Sequence, residues 1–88
     1  MKLIITIVRD TDTDAVSHAL TSAEFRVTSV ASTGGFLRKG QTTLLIGVDD
    51  EKLDSALEII RNNVSKPTEA DSRHTILFVV NVAKFEHF

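Results

Sequence analysis

Arg26 and Thr28 are the first residues here that suggest chemistry, because they stand two apart in Phe25-Arg26-Val27-Thr28, where polar and apolar types alternate. In a strand, positions two apart share a face. A guanidinium fork beside a hydroxyl suits a phosphate group. The same pair also belongs on an ordinary solvated edge strand, since Arg and Thr are common on exposed faces.

A second candidate is Gly35-Phe36-Leu37-Arg38-Lys39-Gly40-Gln41-Thr42, which nearly matches the phosphate loop G-x-x-x-x-G-K-[ST]. Gln41 stands where the Lys is needed, and the residues that follow read as a strand, so no helix N-terminus would meet a phosphate. An NTPase is therefore not expected. The segment still departs from a plain hairpin turn, because it sets Phe36 and Leu37 beside Arg38 and Lys39, and exposed apolar residues on loops tend to mark binding.

Other constellations lead nowhere. Asp10-Thr11-Asp12-Thr13-Asp14 has oxygens at alternate positions, but a calcium loop needs Gly sixth and Glu twelfth, where this chain has Ala15 and Thr21. Its acids read as caps accepting the free N–H groups at the start of a helix. His18, His74 and His87 lack metal-ligand spacing. With no Cys, no G-x-S-x-G and no H-E-x-x-H, nothing assembles a nucleophile or an acid/base couple, so no enzyme and no metal are expected.

The elements that position these residues follow from periodicity. Residues 3–8 are an apolar, mostly β-branched run, read as strand β1, ended by Arg9 to Asp12. From Asp12, Ala15, Val16, Ala19, Leu20 and Ala23 recur at helical spacing and define helix α1. Residues 25–31 read as β2, and 42–48, after the glycine-bearing connection, as β3. Asp49, Asp50 and Glu51 sit where a helix start favours acids, and Leu53, Ala56, Leu57, Ile60 and Val64 mark helix α2. Asn62, Asn63 and Pro67 end it. The polar stretch 66–73 is a loop, and 75–82 alternates as β4.

The order β-α-β-β-α-β predicts an α+β ferredoxin-like sandwich over residues 1–88, a four-stranded antiparallel sheet with two helices on one face. Its central strands β1 and β3 are expected to run parallel to each other. Two helices cover one face only, yet β1 and β3 are apolar on both, in a chain of 88 residues that is 42% hydrophobic. A domain this small buries only about 60–65% of its unfolded surface, so the surplus predicts oligomerisation. Ten basic against twelve acidic residues give a net charge of −2, which provides no general field for a nucleic acid polymer or an anionic membrane. No run approaches the roughly 18 apolar residues of a membrane span. The lack of Cys fits a reducing cytoplasm.

Met1-Lys2-Leu3-Ile4-Ile5, Phe25-Arg26-Val27-Thr28, Ala31-Ser32-Thr33-Gly34-Gly35-Phe36-Leu37, Gly40-Gln41-Thr42-Thr43 and the ending Phe85-Glu86-His87-Phe88 together resemble the PII-like cyclic di-AMP receptor family. Thr33 to Leu37 is the most specific part. The resemblance implies a bacterial, cytoplasmic homotrimer, similar to PII signalling proteins, that binds cyclic di-AMP in clefts between subunits. It implies a ligand site of Arg26, Thr28, Gly35, Phe36, Leu37, Gln41, Gly47, Phe78 and His87. Backbone N–H groups and Arg26 would take the phosphates, Phe36 or Phe78 an adenine face, and Gln41 an adenine edge.

The chain departs from the family's pattern in four places. Glu24 and Gln41 stand for Asn, His87 stands for Gln, and the 66–73 loop, long in the family and tied to its signalling, is short here. The expected function is non-enzymatic nucleotide sensing passed on to a downstream protein partner. The alternative is a trimer that has lost the nucleotide and serves as a protein-interaction module.

Overall fold

Alternation along the first strand divides the molecule into two faces. The computed structural model describes residues 1–30, 40–64, 75–84 and 86. In it, β1 (Lys2–Arg9) buries Ile4, Thr6 and Val8 under the helices, and leaves Leu3, Ile5 and Ile7 half-buried on the opposite side. The same division runs through β3 (Gln41–Val48), with Leu44, Ile46 and Val48 buried. Helix α1 is Asp10–Ser22, β2 is Val27–Val30, α2 is Leu53–Asn63 and β4 is Ile76–Asn81. The strand order is β2-β3-β1-β4, and every neighbouring pair is antiparallel.

The ferredoxin-like fold is thus as expected, but β1 and β3 run antiparallel, not parallel. The reason lies in the connections. Each helical crossover carries the chain past one strand position, so β1 matches β2 in direction, and β3 lies between them reversed. The core joins Ile4 and Val8 to Leu44, Ile46 and Val48 of β3, Val16 and Leu20 of α1, and Ala56 and Ile60 of α2. Helix α1 turns a narrower stripe inward than its alanines suggest: Asp12, Val16 and Leu20 are buried, whereas Ala15 and Ala23 are exposed.

The helix starts also differ from expectation. Asp10 and Asp12 lie in the first turn of α1, where the dipole favours acids, but the N-cap is Arg9 and makes no side-chain cap bond. The Asp10 carboxylate instead accepts a hydrogen bond from the Thr42 hydroxyl, tying the helix start to β3. Asp50–Lys52 form a short 3-10 turn before α2 begins, with the Lys52 N–H donating to the Asp49 carbonyl at 2.9 Å. At the far end of α2 the Asn63 amide donates to the Ile59 carbonyl at 2.7 Å.

Helix α1 ends in a Schellman arrangement. Phe25 N–H donates to the Leu20 carbonyl at 2.9 Å and Glu24 N–H to the Thr21 carbonyl at 3.0 Å. Both Leu20 and Phe25 are in the core. The geometry forces Glu24 into the left-handed region, φ 70°, a position that favours Gly. Left-handed strain of about 1–2 kcal/mol outweighs the ~0.4–1 kcal/mol of unfolded-state entropy that Gly adds. Glu24→Gly is therefore expected to raise stability by about 0.5–1 kcal/mol in urea denaturation. Unchanged or lower stability would show that the Glu24 side chain makes a compensating contact.

The open side of the sheet is apolar. Across it, Leu3 faces Gly47 and Val80, Ile5 faces Leu45 and Phe78, and Ile7 faces Thr43 and Ile76. The edge strand β4 is exposed on both sides, Phe78 at 54% and Ile76 at 46%. It is held by its ladder to β1, by Thr6, which donates from the core to the Ile76 carbonyl at 2.9 Å, and by a bond from the Lys2 ammonium to Asn81. Among the described residues, no helix is long and apolar enough to cross a membrane.

Candidate functional site

Strand register brings Arg26, Thr28 and Gly47 to one corner of the open face. Val27 pairs with the buried Ile46 and so faces the helices, which sends Thr28, and Arg26 just ahead of the strand, to the other side. Thr28 lies across from Leu45, and Gly47 across from Leu3. Together with Met1 and Val82, these residues line a cavity of about 440 Å³. That size is within the range of small-molecule sites. Arg26 and Thr28 supply its polar wall, while Leu3, Leu45 and Val82 give an apolar floor that suits a sugar or a base.

Met1 is fixed at the end of this cavity. Its carbonyl accepts from the Val82 N–H at 3.1 Å, and its ammonium lies 3.1 Å from an Asp50 carboxylate oxygen. The hydrogen bond from that ammonium holds the exposed Asp50 carboxyl below its usual range. A second, smaller cavity of about 170 Å³ shares Met1, Arg26 and Gly47 and adds Glu24, Phe25, Val48, Asp49 and Lys52. Arg26 therefore stands between an apolar cavity and a charged one.

Gln41 and Phe78, also expected at the site, lie elsewhere. Gln41 shares the face of Gly47 but starts β3 opposite Arg9, six residues away, about 20 Å along a strand. Phe78 is on the edge strand, separated from β2 by β1 and β3, about 14 Å across the sheet. Gly35, Phe36, Leu37, His87, the 66–73 loop and the two aromatics of the tail, Phe85 and Phe88, lie outside the described residues. Among the described residues, no three His, Asp or Glu side chains gather as a metal site would.

A family model described as the cyclic-di-AMP receptor matches residues 1–70. The chain belongs to the cyclic-di-AMP receptor family. The match takes in Arg26, Thr28, Gln41 and Gly47, and ends before Phe78 and His87. The crystal structure of a functionally unknown protein from Pediococcus pentosaceus ATCC 25745 is similar to this receptor-family chain at 33% identity and a TM-score of 0.78. The likeness covers 99% of this chain and 96% of that one, so the two are nearly equal in length.

Sequence reasoning passed over Leu3, Leu45 and Val82 as cavity residues, although Leu3 and Leu45 alternate with buried neighbours and so face the open side; Val82 joins them through its bond to Met1. Lys52 carried no such signal, because it sits on the 3-10 turn outside any periodic pattern. Gly47 is the gap in the cavity floor. A Cβ there would approach the Met1 side-chain tip at 2.9 Å, a flexible end that can move aside. Gly47→Val suits a strand, so folding should be kept or improved by up to about 1 kcal/mol, while the added methyls fill the floor beneath Arg26. Calorimetry should then show loss of cyclic dinucleotide binding with an unchanged or higher melting temperature. Binding at the parental affinity would remove this cavity from the site.

Proposed function

We propose that the protein binds cyclic di-AMP, without chemistry, in clefts between the subunits of a homotrimer, and passes the bound state on to a protein partner. The observation that carries this reading is the division of the site across the open face. Arg26, Thr28 and Gly47 occupy one corner, and Gln41 lies about 20 Å away at the other end of β3. A compact ring with two phosphates and two bases does not span that distance on one chain. A neighbouring copy that brings its Gln41 end to the Arg26 corner makes one cleft from the two halves.

The same neighbour resolves the packing. Leu3, Ile5, Ile7, Leu45 and Phe78 form an apolar face that the two helices leave uncovered. Faces of this kind are normally buried by association. The phosphates would lie on the Arg26 fork and the Thr28 hydroxyl, and one adenine over the apolar floor of Leu3, Leu45 and Val82.

Calorimetry with cyclic di-AMP, run beside sedimentation on the same sample, tests the proposal. Heat of binding saturating at one ligand per subunit, with the mass of three chains, is the expected result. An intact trimer that gives no heat at high protein concentration would overturn it and leave a protein-interaction module.

A further inference from the structure

Asp10 holds the chain on both sides of Gln41. Its backbone N–H donates to the Gly40 carbonyl at 2.8 Å, and its carboxylate accepts from the Thr42 hydroxyl. Without such a clip this end of β3 would be poorly fixed. The strand begins at Gln41, directly after Gly40, whose φ of 88° is a turn conformation that does not continue a strand. Arg9 and Gln41 are the last partners of the β1–β3 ladder, and the ladder with β2 reaches only Thr43. Residues at the end of a ladder fray most easily.

The alternation of the strand gives the clip its effect. Thr42 shares the helix-side face with the buried Leu44, Ile46 and Val48, whereas Gln41 shares the open face with Leu45 and Gly47. A bond that keeps Thr42 against the start of α1 therefore keeps Gln41 on the opposite side. We infer that Asp10 is a positioning residue for the nucleotide: it does not meet the ligand, but acts through Gly40 and Thr42 to hold Gln41 on the open face, toward the Arg26 corner of a neighbouring copy. A side chain ordered before binding loses less conformational freedom when the ligand arrives. This rests on the nucleotide-binding reading above and adds to its site a residue from the helix layer.

The test is calorimetry of the full chain with cyclic di-AMP. Asp10→Ala and Thr42→Val remove the same hydrogen bond from its two ends, and each should weaken binding by about tenfold, the lower value for one hydrogen bond to a charged group. Thr42→Val suits a strand and leaves the acid at the helix start, so its loss of affinity does not come from a weakened helix. Asp10→Asn keeps an acceptor oxygen and should retain most of the parental affinity. In a Gln41→Ala background Asp10→Ala should cause no further loss, a result that a merely structural role would not give. Without ligand, amide exchange at the start of β3 should be faster in Asp10→Ala and in Thr42→Val than in the parent. Parental affinity in both variants, losses that add in full to that of Gln41→Ala, or unchanged exchange overturns the positioning role alone. No binding by the parent chain overturns both this inference and the receptor reading beneath it.

Discussion

Arg26→Ala is expected to weaken cyclic dinucleotide binding by a factor of about 10–150, because hydrogen bonds to charged groups contribute about 1.5–3 kcal/mol and each 1.4 kcal/mol is tenfold. Arg26 is exposed and lies outside the core, so the melting temperature should hardly move. Arg26→Lys keeps the charge but loses the planar fork, and should fall between the two. Part of the parental affinity should disappear as salt is raised, and the alanine variant should lose less of it. Calorimetry at two ionic strengths reads all of this. If the alanine variant binds as tightly as the parent, the phosphates do not lie on Arg26, whatever the ligand.

The second large effect concerns the uncovered face. Ile5 is at its centre, between Leu45 on β3 and Phe78 on β4. In a trimer sealed by this face, Ile5→Glu removes about 1.5–3 kcal/mol of apolar burial per copy and leaves an unpaired carboxylate in the interface at a further cost of several kcal/mol. Sedimentation should then show a monomer at micromolar concentration. Ile5 is half-buried within one chain and opposite the helices, so circular dichroism should still show the folded sandwich. Nucleotide binding should disappear together with the assembly, because the Gln41 end of one copy would no longer meet the Arg26 corner of the next. A trimer that survives Ile5→Glu would place the subunit contact on another surface.

The two outcomes also separate the ways in which binding can fail. Arg26→Ala should lose ligand and keep the assembly, whereas Ile5→Glu should lose both. Measuring mass and heat on each variant therefore tells a damaged contact from a missing neighbour.

Much of this was legible in the residues. A period of two put Arg26 and Thr28 on one face, and the apolar runs at Leu3 to Val8 and Thr42 to Val48 marked the central strands. The direction of β3 relative to β1 was misread, because strand order depends on how the crossovers step past one another, which no single segment records. Gly47 could not be placed beside Leu3 without the register across the sheet, which is a long-range quantity. The left-handed turn at Glu24 was hidden by its residue type, since Gly or Asn is what ordinarily announces such a backbone. Lys52 sits between periodic elements, where a charged side chain reads as solvated until a cavity is seen beside it.

The end of α1 has a further consequence. Only a short link, Ala23 to Arg26, joins the helix to β2, and Phe25 within it is anchored in the core. Side chains in a strand change face at every step, so adding or removing one residue after Phe25 would turn Val27 outward and direct Arg26 and Thr28 at the helices. A substitution at an exposed position here leaves the fold in place, but a length change at this link would cost the core and the Arg26 corner together. Sequence variation among functional copies of this chain should therefore be free of insertions between Phe25 and Thr28.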